Sequence, residues 1–344
     1  MKSLQAEIAR RAKVSQSTVS RALSNHPALP RDTRERIQKI ARQLGYQANP
    51  LLSAVLSSVR RSRDRQYLGT IAFLTAHTSA DSWRGIATYR DFFLGAKERG
   101  ERQGFAIEAH WAGEPGLTGR RLGEILRARG IAGVLFGVRG TDERFPELRW
   151  QQFAAVRIGL SQYEPQFHCA VNDQVRTVRL VASTLAQRGY RRIGLAATVW
   201  QNAAVDQNWL AGFLAWQHTL PAAQRVPVHL PAALAPADFL KWVRRHRPDA
   251  ILAVNPQIIP WLTEAGLRVP DDLGVAVLDW HDTYGDIAGA DQNNRLVGAA
   301  AVDAVIGQLR RNERGQPEHP RKMLIESSWH EGRTVRPPPD ASDA

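Results

Sequence analysis

At 344 residues, 43% hydrophobic and 23% charged, the chain has the composition of an ordinary globular protein long enough for two or three domains, which excludes a chain too polar to bury a core. The single cysteine, Cys169, excludes an intramolecular disulfide, fits a reducing cytosol and reads as an inert, partly buried thiol. The formal charge of +13 is uneven: residues 1–65 hold 14 Lys and Arg against four acids, a net of +10 that leaves only +3 for the rest.

Such a concentrated basic surface attracts polyanions and releases their counterions, so nucleic acid is the expected partner of the amino-terminal segment. Met1 to Gln16 mixes charges among its apolar residues, and no stretch is apolar enough to span a bilayer. Neither a secretory signal nor a membrane contact is expected, and the protein is placed in the cytoplasm.

The elements begin with a helix from near Ser3 that turns Ile8, Ala9 and Ala12 to one face. Val14-Ser15 makes a tight turn, with Ser15 placed to cap a second helix, Gln16 to Leu23. That helix buries Val19, Ala22 and Leu23 and exposes Gln16, Ser17, Thr18, Ser20 and Arg21. A third helix, about Arg31 to Leu44, repeats apolar positions at Ile37, Ile40, Ala41 and Leu44 and stops at Gly45. Three short helices with a tight turn between the first two make a helix-turn-helix.

The ordered run Ile8-Ala9-Arg10-Arg11-Ala12-Lys13-Val14-Ser15-Gln16-Ser17-Thr18-Val19-Ser20-Arg21-Ala22-Leu23, then Thr33-Arg34-Glu35-Arg36-Ile37 and Leu44-Gly45-Tyr46-Gln47-Ala48-Asn49-Pro50, closely resembles the lactose/galactose-repressor family of bacterial transcriptional regulators. The resemblance implies that Gln16, Ser17 and Arg21 read bases. Their chemistry suits that role, because Arg forks onto guanine O6/N7 and Gln onto adenine N6/N7. It also implies phosphate contacts from Ser15, Thr18, Ser20, Ser24 and Thr33. Two departures stand out: one extra residue before Glu7-Ile8-Ala9, and Pro30 where a capping Ser is usual.

Family members carry a hinge after this module that becomes helical on DNA and wedges an apolar residue into the minor groove. The matching segment here is Asn49-Pro50-Leu51-Leu52-Ser53-Ala54-Val55-Leu56, with Asn49 at its start, Leu52 within it, and Val55 or Leu56 as the wedge. The basic stretch Arg60, Arg61, Arg63 and Arg65 either follows the phosphate backbone or solubilises a connector.

Beyond it, strand-like and helix-like segments alternate. Expected strands are 67–74, 105–111, 131–138, 153–158, 192–197, 250–254 and 274–278. Expected helices are 89–103, 122–129, 175–188, 208–219, 237–246 and 258–265. Repeated βα units argue for parallel sheets with helices on both faces. Two such sets in succession predict two lobes with a ligand cleft between them, lined by the loops after Leu74, Val138, Ala197, Val254 and Leu278.

The fold expected is therefore multi-domain: an all-α helix-turn-helix DNA-binding domain at 1–48, a hinge and basic linker at 49–65, and an α/β two-lobed, periplasmic-binding-protein-like effector domain. The resemblance continues through Val171-Asn172-Asp173, Gly189-Tyr190-Arg191-Arg192-Ile193, Leu210-Ala211-Gly212-Phe213, Arg247-Pro248-Asp249-Ala250-Ile251 and Gly298 with Ala301 and Leu309. It implies lobe crossings near Ser161, Gly289 and Glu326. One lobe is then 66–161 plus 290–325 and the other 162–289 plus 326–336, with a disordered tail at 337–344.

The same resemblance implies that Asp279 accepts from ligand hydroxyls and that Asn255 and Gln292 line the cleft. Trp209 stands where an effector-gripping Arg is usual, and Gly159 where an Asp is common. Trp209 and Trp280 offer faces for stacking on a sugar, or are core residues. His77 and Tyr89 reach the cleft, or are satisfied at the surface. The effector expected is a carbohydrate.

No Gly-rich phosphate loop, nucleophile elbow, zinc-protease motif or cysteine pair is present, so no catalysis and no cofactor are expected. His281-Asp282 beside Asp279 lack zinc-ligand spacing, and no metal is expected. The reading is a homodimeric regulator, a repressor by preference, on a near-palindromic double-stranded operator. The rival readings are a solute-binding protein or sensor that does not read DNA, and a sugar-processing enzyme.

Overall fold

A computed structural model of the chain describes residues 4–23, 29–44, 67–139, 145–160 and 166–338. Contacts divide the chain into two compact units, Met1–Gln66 and Tyr67–Ala344.

In the first unit, α1 (Leu4–Ala12), α2 (Gln16–Leu23) and α3 (Arg31–Gln43) enclose a small core of Ile8, Ala9, Ala12, Val19, Ala22, Ile37 and Ala41. These are the apolar positions at helical spacing, and Val14, Leu29, Ile40 and Leu44 pack around them. Lys13 takes a left-handed φ of 52° and lets Val14 N–H donate to Ala9 O at 3.0 Å, which closes the turn. Ser15 Oγ then accepts from Thr18 N–H at 3.2 Å, an N-cap that satisfies one orphan donor of α2. Gln38 Nε2 on α3 donates to Ala22 O at 2.9 Å, tying the end of α2 to the third helix. The expected hinge, Asn49, Leu52, Val55 and Leu56, lies outside the described residues.

The second unit runs β1 (Gly69–Ala76), α4 (Ala87–Arg102), β2 (Phe105–Trp111), α5 (Gly119–Ala128), β3 (Gly133–Arg139), β4 (Ala154–Ile158) and β5 (Cys169–Asn172). It continues through α6 (Gln174–Gln187), β6 (Ile193–Ala196), α7 (Val199–Ala204), α8 (Asn208–His218), α9 (Pro236–His246) and β7 (Ala250–Ala253). Then come α10 (Ile258–Glu264), β8 (Gly274–Trp280), β9 (Gly289–Asp291), α11 (Asn294–Arg311), β10 (Lys322–Ile325) and β11 (Ser328–His330).

Six strands form one parallel sheet in the order β10-β5-β4-β3-β1-β2, and five form another in the order β11-β9-β8-β7-β6, parallel except for β11. Strands such as β3 and β7 are apolar along their length because helices cover both faces, as parallel sheets require.

β5 adds to the first sheet, so the chain enters the second lobe at Asp173 rather than near Ser161, which itself lies outside the described residues. β9 belongs to the second sheet, so the return follows Asp291. The third crossing falls between β10 and β11, which belong to different sheets.

The 18-residue α11 packs along α4 in the first core through Val297, Ala301, Val302, Val305 and Ile306. Two glycines let the backbones touch: a Cβ on Gly95 would lie 1.9 Å from Arg295 O, and one on Gly298 would lie 2.0 Å from Phe92 O. On the second lobe Val335 is buried, and Arg188, itself buried, pairs with Glu331 at 2.6 Å and donates to Arg336 O at 2.8 Å. The chain is thereby docked as far as Arg336; residues 339–344 of the expected tail are outside the described set.

Candidate functional site

The loops at the carboxyl ends of β1, β3, β6, β7 and β8 converge between the lobes, where parallel strands leave a crevice. The cavity there holds about 430 Å³, a size that suits a small molecule. Its walls are largely apolar, with Ile86, Phe92, Ile158 and Leu160 from the first lobe facing Val205 and Val254 from the second. Gly159, φ +87°, adds no side chain, and a Cβ there would meet open space.

Of the residues singled out in the sequence, Asp279, Gln292 and Trp209 line this cavity. Asp279 is the last residue but one of β8, and its two oxygens are held separately. Oδ2 accepts from Thr88 Oγ1 at 2.9 Å and lies 3.3 Å from His281 Nε2, while Oδ1 accepts from Asn294 Nδ2 at 3.4 Å. Thr88 and Asn294 belong to the first lobe, so the carboxylate already bridges the cleft. A carboxylate has about four lone-pair positions, which leaves acceptor capacity for a ligand hydroxyl.

Trp209 is both wall and framework. It is 5% exposed, and its Nε1 donates to Gln174 Oε1 at 2.6 Å. Gln174 Nε2 donates in turn to Gln292 Oε1 at 2.8 Å, and Gln292 Nε2 to Leu278 O at 2.7 Å. Asn172 Nδ2 reaches Gln292 O at 2.7 Å and Asn294 Oδ1 at 3.1 Å. Every buried amide here has a partner, as low-dielectric surroundings demand.

Three expected site residues fall elsewhere. Asn255 Oδ1 accepts from Gln257 N–H at 3.3 Å in the turn before α10, because a short amide after a strand end satisfies its own loop first. Trp280 alternates to the other side of β8 and stacks on His330, centroids 3.6 Å apart and planes at 19°. It borders a second, polar recess with Asp91, His281 and Asp291 rather than the cavity. His77 Nδ1 is within 2.6 Å of Ser82 Oγ and does not line the cavity.

Tyr89, read as a cleft or surface residue, does line the cavity, and its hydroxyl donates to Arg139 O at 3.2 Å. Burial, partly offset by the Arg139 charge, raises its pKa above the usual 10.0, so it stays a neutral donor.

Thr88, Asn172, Gln174 and Trp200 were not identified from the sequence. Trp200 on α7 lines the mouth yet is 49% exposed. A polar residue at a strand-to-helix corner, as in Asn172-Asp173-Gln174, was the available signal; for Thr88 there was none. Asp173 also caps α6 by accepting from Arg176 N–H at 3.1 Å, which aims Gln174 inward.

In the helix-turn-helix, Ser15 and Gln16 are exposed at the start of α2, while Thr18 and Thr33 are half-buried. Ser17, Ser20 and Arg21 occupy α2 with side chains outside the described set, and Ser24 is outside it altogether. Among the described residues no group of His, Cys, Asp and Glu could hold a metal ion, and no helix is long and apolar enough to cross a membrane.

Residues 6–49 match the family model for bacterial regulatory proteins of the lacI family, and residues 182–335 match that for the periplasmic binding protein-like domain. The HTH-type transcriptional regulator PtxS of Pseudomonas plecoglossicida is 24% identical over 320 residues, 88% of each chain. Among solved structures, the lac repressor dimer bound to operator and the anti-inducer ONPF aligns with a TM-score of 0.56 at 18% identity, over 98% of this chain and 100% of that one. The complex of the transcriptional regulator CelR with cellobiose aligns at 0.55 and 19% identity, over 97% and 100%. At these identities the structural likeness establishes the fold.

Proposed function

We propose that this lacI-family transcriptional regulator, with its periplasmic binding protein-like body, is a cytoplasmic homodimeric repressor. It binds a near-palindromic operator and responds to a carbohydrate held between its lobes. The observation that carries the DNA half is the basic three-helix module, whose capped α2 starts with exposed Ser15 and Gln16. In this reading Gln16, Ser17 and Arg21 read base edges and Ser15, Thr18, Ser20, Ser24 and Thr33 fix the register on phosphates. Asn49, Leu52 and Val55 or Leu56 form the hinge.

The effector half rests on the cavity. Apolar walls with Trp209 and Trp200 suit the C–H faces of a sugar ring, and the Asp279 carboxylate suits its hydroxyls. The polar groups of Asn172, Gln174 and Gln292 hold that wall in place. The effector acts because the open and closed bodies differ in affinity for it and for operator, and the two affinities are linked reciprocally. The protein is read as a binding protein and not an enzyme.

The test is selection of the full chain against a randomised duplex library, with and without sugars and nucleobases that pass a thermal-shift screen. A ligand at 100 times its Kd adds about 2.7 kcal/mol of stability and is readily detected. Enrichment of a two-fold-symmetric site that a sugar weakens is the expected result. No preference over bulk duplex under any condition overturns the reading.

A further inference from the structure

We propose that His281 is a positioning residue of the effector site, holding Asp279 in place and tying it as a cation to Asp91 of the opposite lobe when the cleft is closed. This deepens the effector half of the function proposed above and rests on it. His281 follows β8 in the second lobe and is 7% exposed. Its Nε2 lies 3.3 Å from Asp279 Oδ2 on the cavity side and its Nδ1 lies 4.0 Å from Asp91 Oδ2 on α4, in the first lobe. Thr88 Oγ1, also on α4, is 3.4 Å from Nε2. The imidazole thus lines the polar recess bordered by Asp91, Asp282, Asp291 and Arg295 and touches the cavity only through its contacts with Asp279 and Thr88, which line it.

Two carboxylates brought together from opposite lobes repel one another unless a cation stands between them. The groups facing His281 are Thr88, Arg90 and Asp91 from α4, Asp279 from β8, Asp282 and Tyr284 from the following turn, and Arg295 from α11, which reaches Asp91 at 3.9 Å. Arg90 is partly spent on Asp91 and Asp282, 3.7 Å from each. Burial by itself lowers the imidazole pKa, but the hydrogen bond and charge of Asp279 with the charge of Asp91 outweigh it and the opposing Arg90, so the value lies above 6.5.

When the lobes part, α4 carries Asp91 and Thr88 away and the imidazole loses one of its two anions. Closure therefore takes up a proton. The contribution is full below the open-state pKa and is lost as pH rises through the raised closed-state value. At high pH the neutral ring no longer offers a cation between Asp279 and Asp91; Arg90 and Arg295 remain beside Asp91 only, and the carboxylate that the effector needs is less firmly held.

The experiment uses the full chain without DNA or effector, so that failure to bind operator or sugar does not decide it. Histidine-labelled protein is titrated by NMR, with the His281 resonance assigned by its loss in H281Q. Spin labels at exposed Lys97→Cys on α4 and Lys241→Cys on α9, in a C169A background, report lobe separation at about pH 6 and about pH 9. The expected result is a His281 midpoint above that of free histidine, lowered in D91N, and lobes farther apart at the higher pH in the parent but not in H281Q. A midpoint that D91N leaves unmoved, or a lobe separation that is independent of pH or keeps its pH response in H281Q, overturns the proposal. Should H281Q not fold, the spin-label distances in D91N decide alone: a lobe separation that keeps the parent's pH response in D91N overturns the proposal.

Discussion

Gln174 and Gln292 are joined side chain to side chain, Nε2 to Oε1, at 2.8 Å, so the corner where the chain enters the second lobe is bonded to the corner where it leaves. Asn293 Nδ2 adds a bond to Glu326 O at the third crossing, 2.9 Å away. The crossings form one bonded cluster behind the cavity, and the polar floor of the site is also the pivot between the lobes.

Replacing Gln174 with Leu keeps the volume and strands two buried groups, the Trp209 indole N–H and the Gln292 carbonyl. Each unsatisfied group costs about 1–3 kcal/mol, so a loss of roughly 2–6 kcal/mol is expected. Chemical denaturation measures it, and Trp209→Phe in the same background should recover part of the loss by removing the orphan donor.

Asp279→Ala removes the acceptor that joins Thr88, His281 and Asn294. The expected phenotype is an operator complex of normal affinity that no longer responds to effector, measured by fluorescence anisotropy. A variant that responds as the parent does would place Asp279 outside the site.

Gly298→Val drives side-chain carbons into Phe92 O and Ala96 N across the contact of α4 with α11. Overpacking of this kind costs about 1–3 kcal/mol, and more where the obstacle is backbone. A fall in the thermal midpoint of the effector body is expected, whereas Gly266→Ala meets nothing within 4 Å and is strained only by its φ of +81°.

Arg21→Ala should cost about 1–3 kcal/mol of operator affinity and relax one base position. Randomised-site selection reads both. An unchanged base preference would remove Arg21 from the reading surface.

The three-helix module was legible because its determinants are local. Ser15 caps α2 by accepting from an amide three residues on, and the pairs Ile8 and Ala12, Val19 and Ala22, and Ile37 and Ala41 sit at helical spacing within one short stretch. The longer strands and helices of the body were legible for the same reason: a run of six buried residues, as in β1 or β3, announces itself. β5, β9, β10 and β11, three or four residues each, carry too little pattern, and α11 was met only as scattered family positions.

The amino-acid order by itself determined the longer secondary elements, the basic amino terminus and the doubly built α/β body, because those follow from neighbours close along the chain. Tertiary structure alone decided which polar side chains face the cavity. Asn255 and His77 found partners in their own loops and turned away, Trp280 stacked on His330 of another strand, and Thr88 met Asp279 across 191 positions of sequence. A buried polar group goes wherever its hydrogen bond can be completed, and that choice depends on groups that only folding brings within reach.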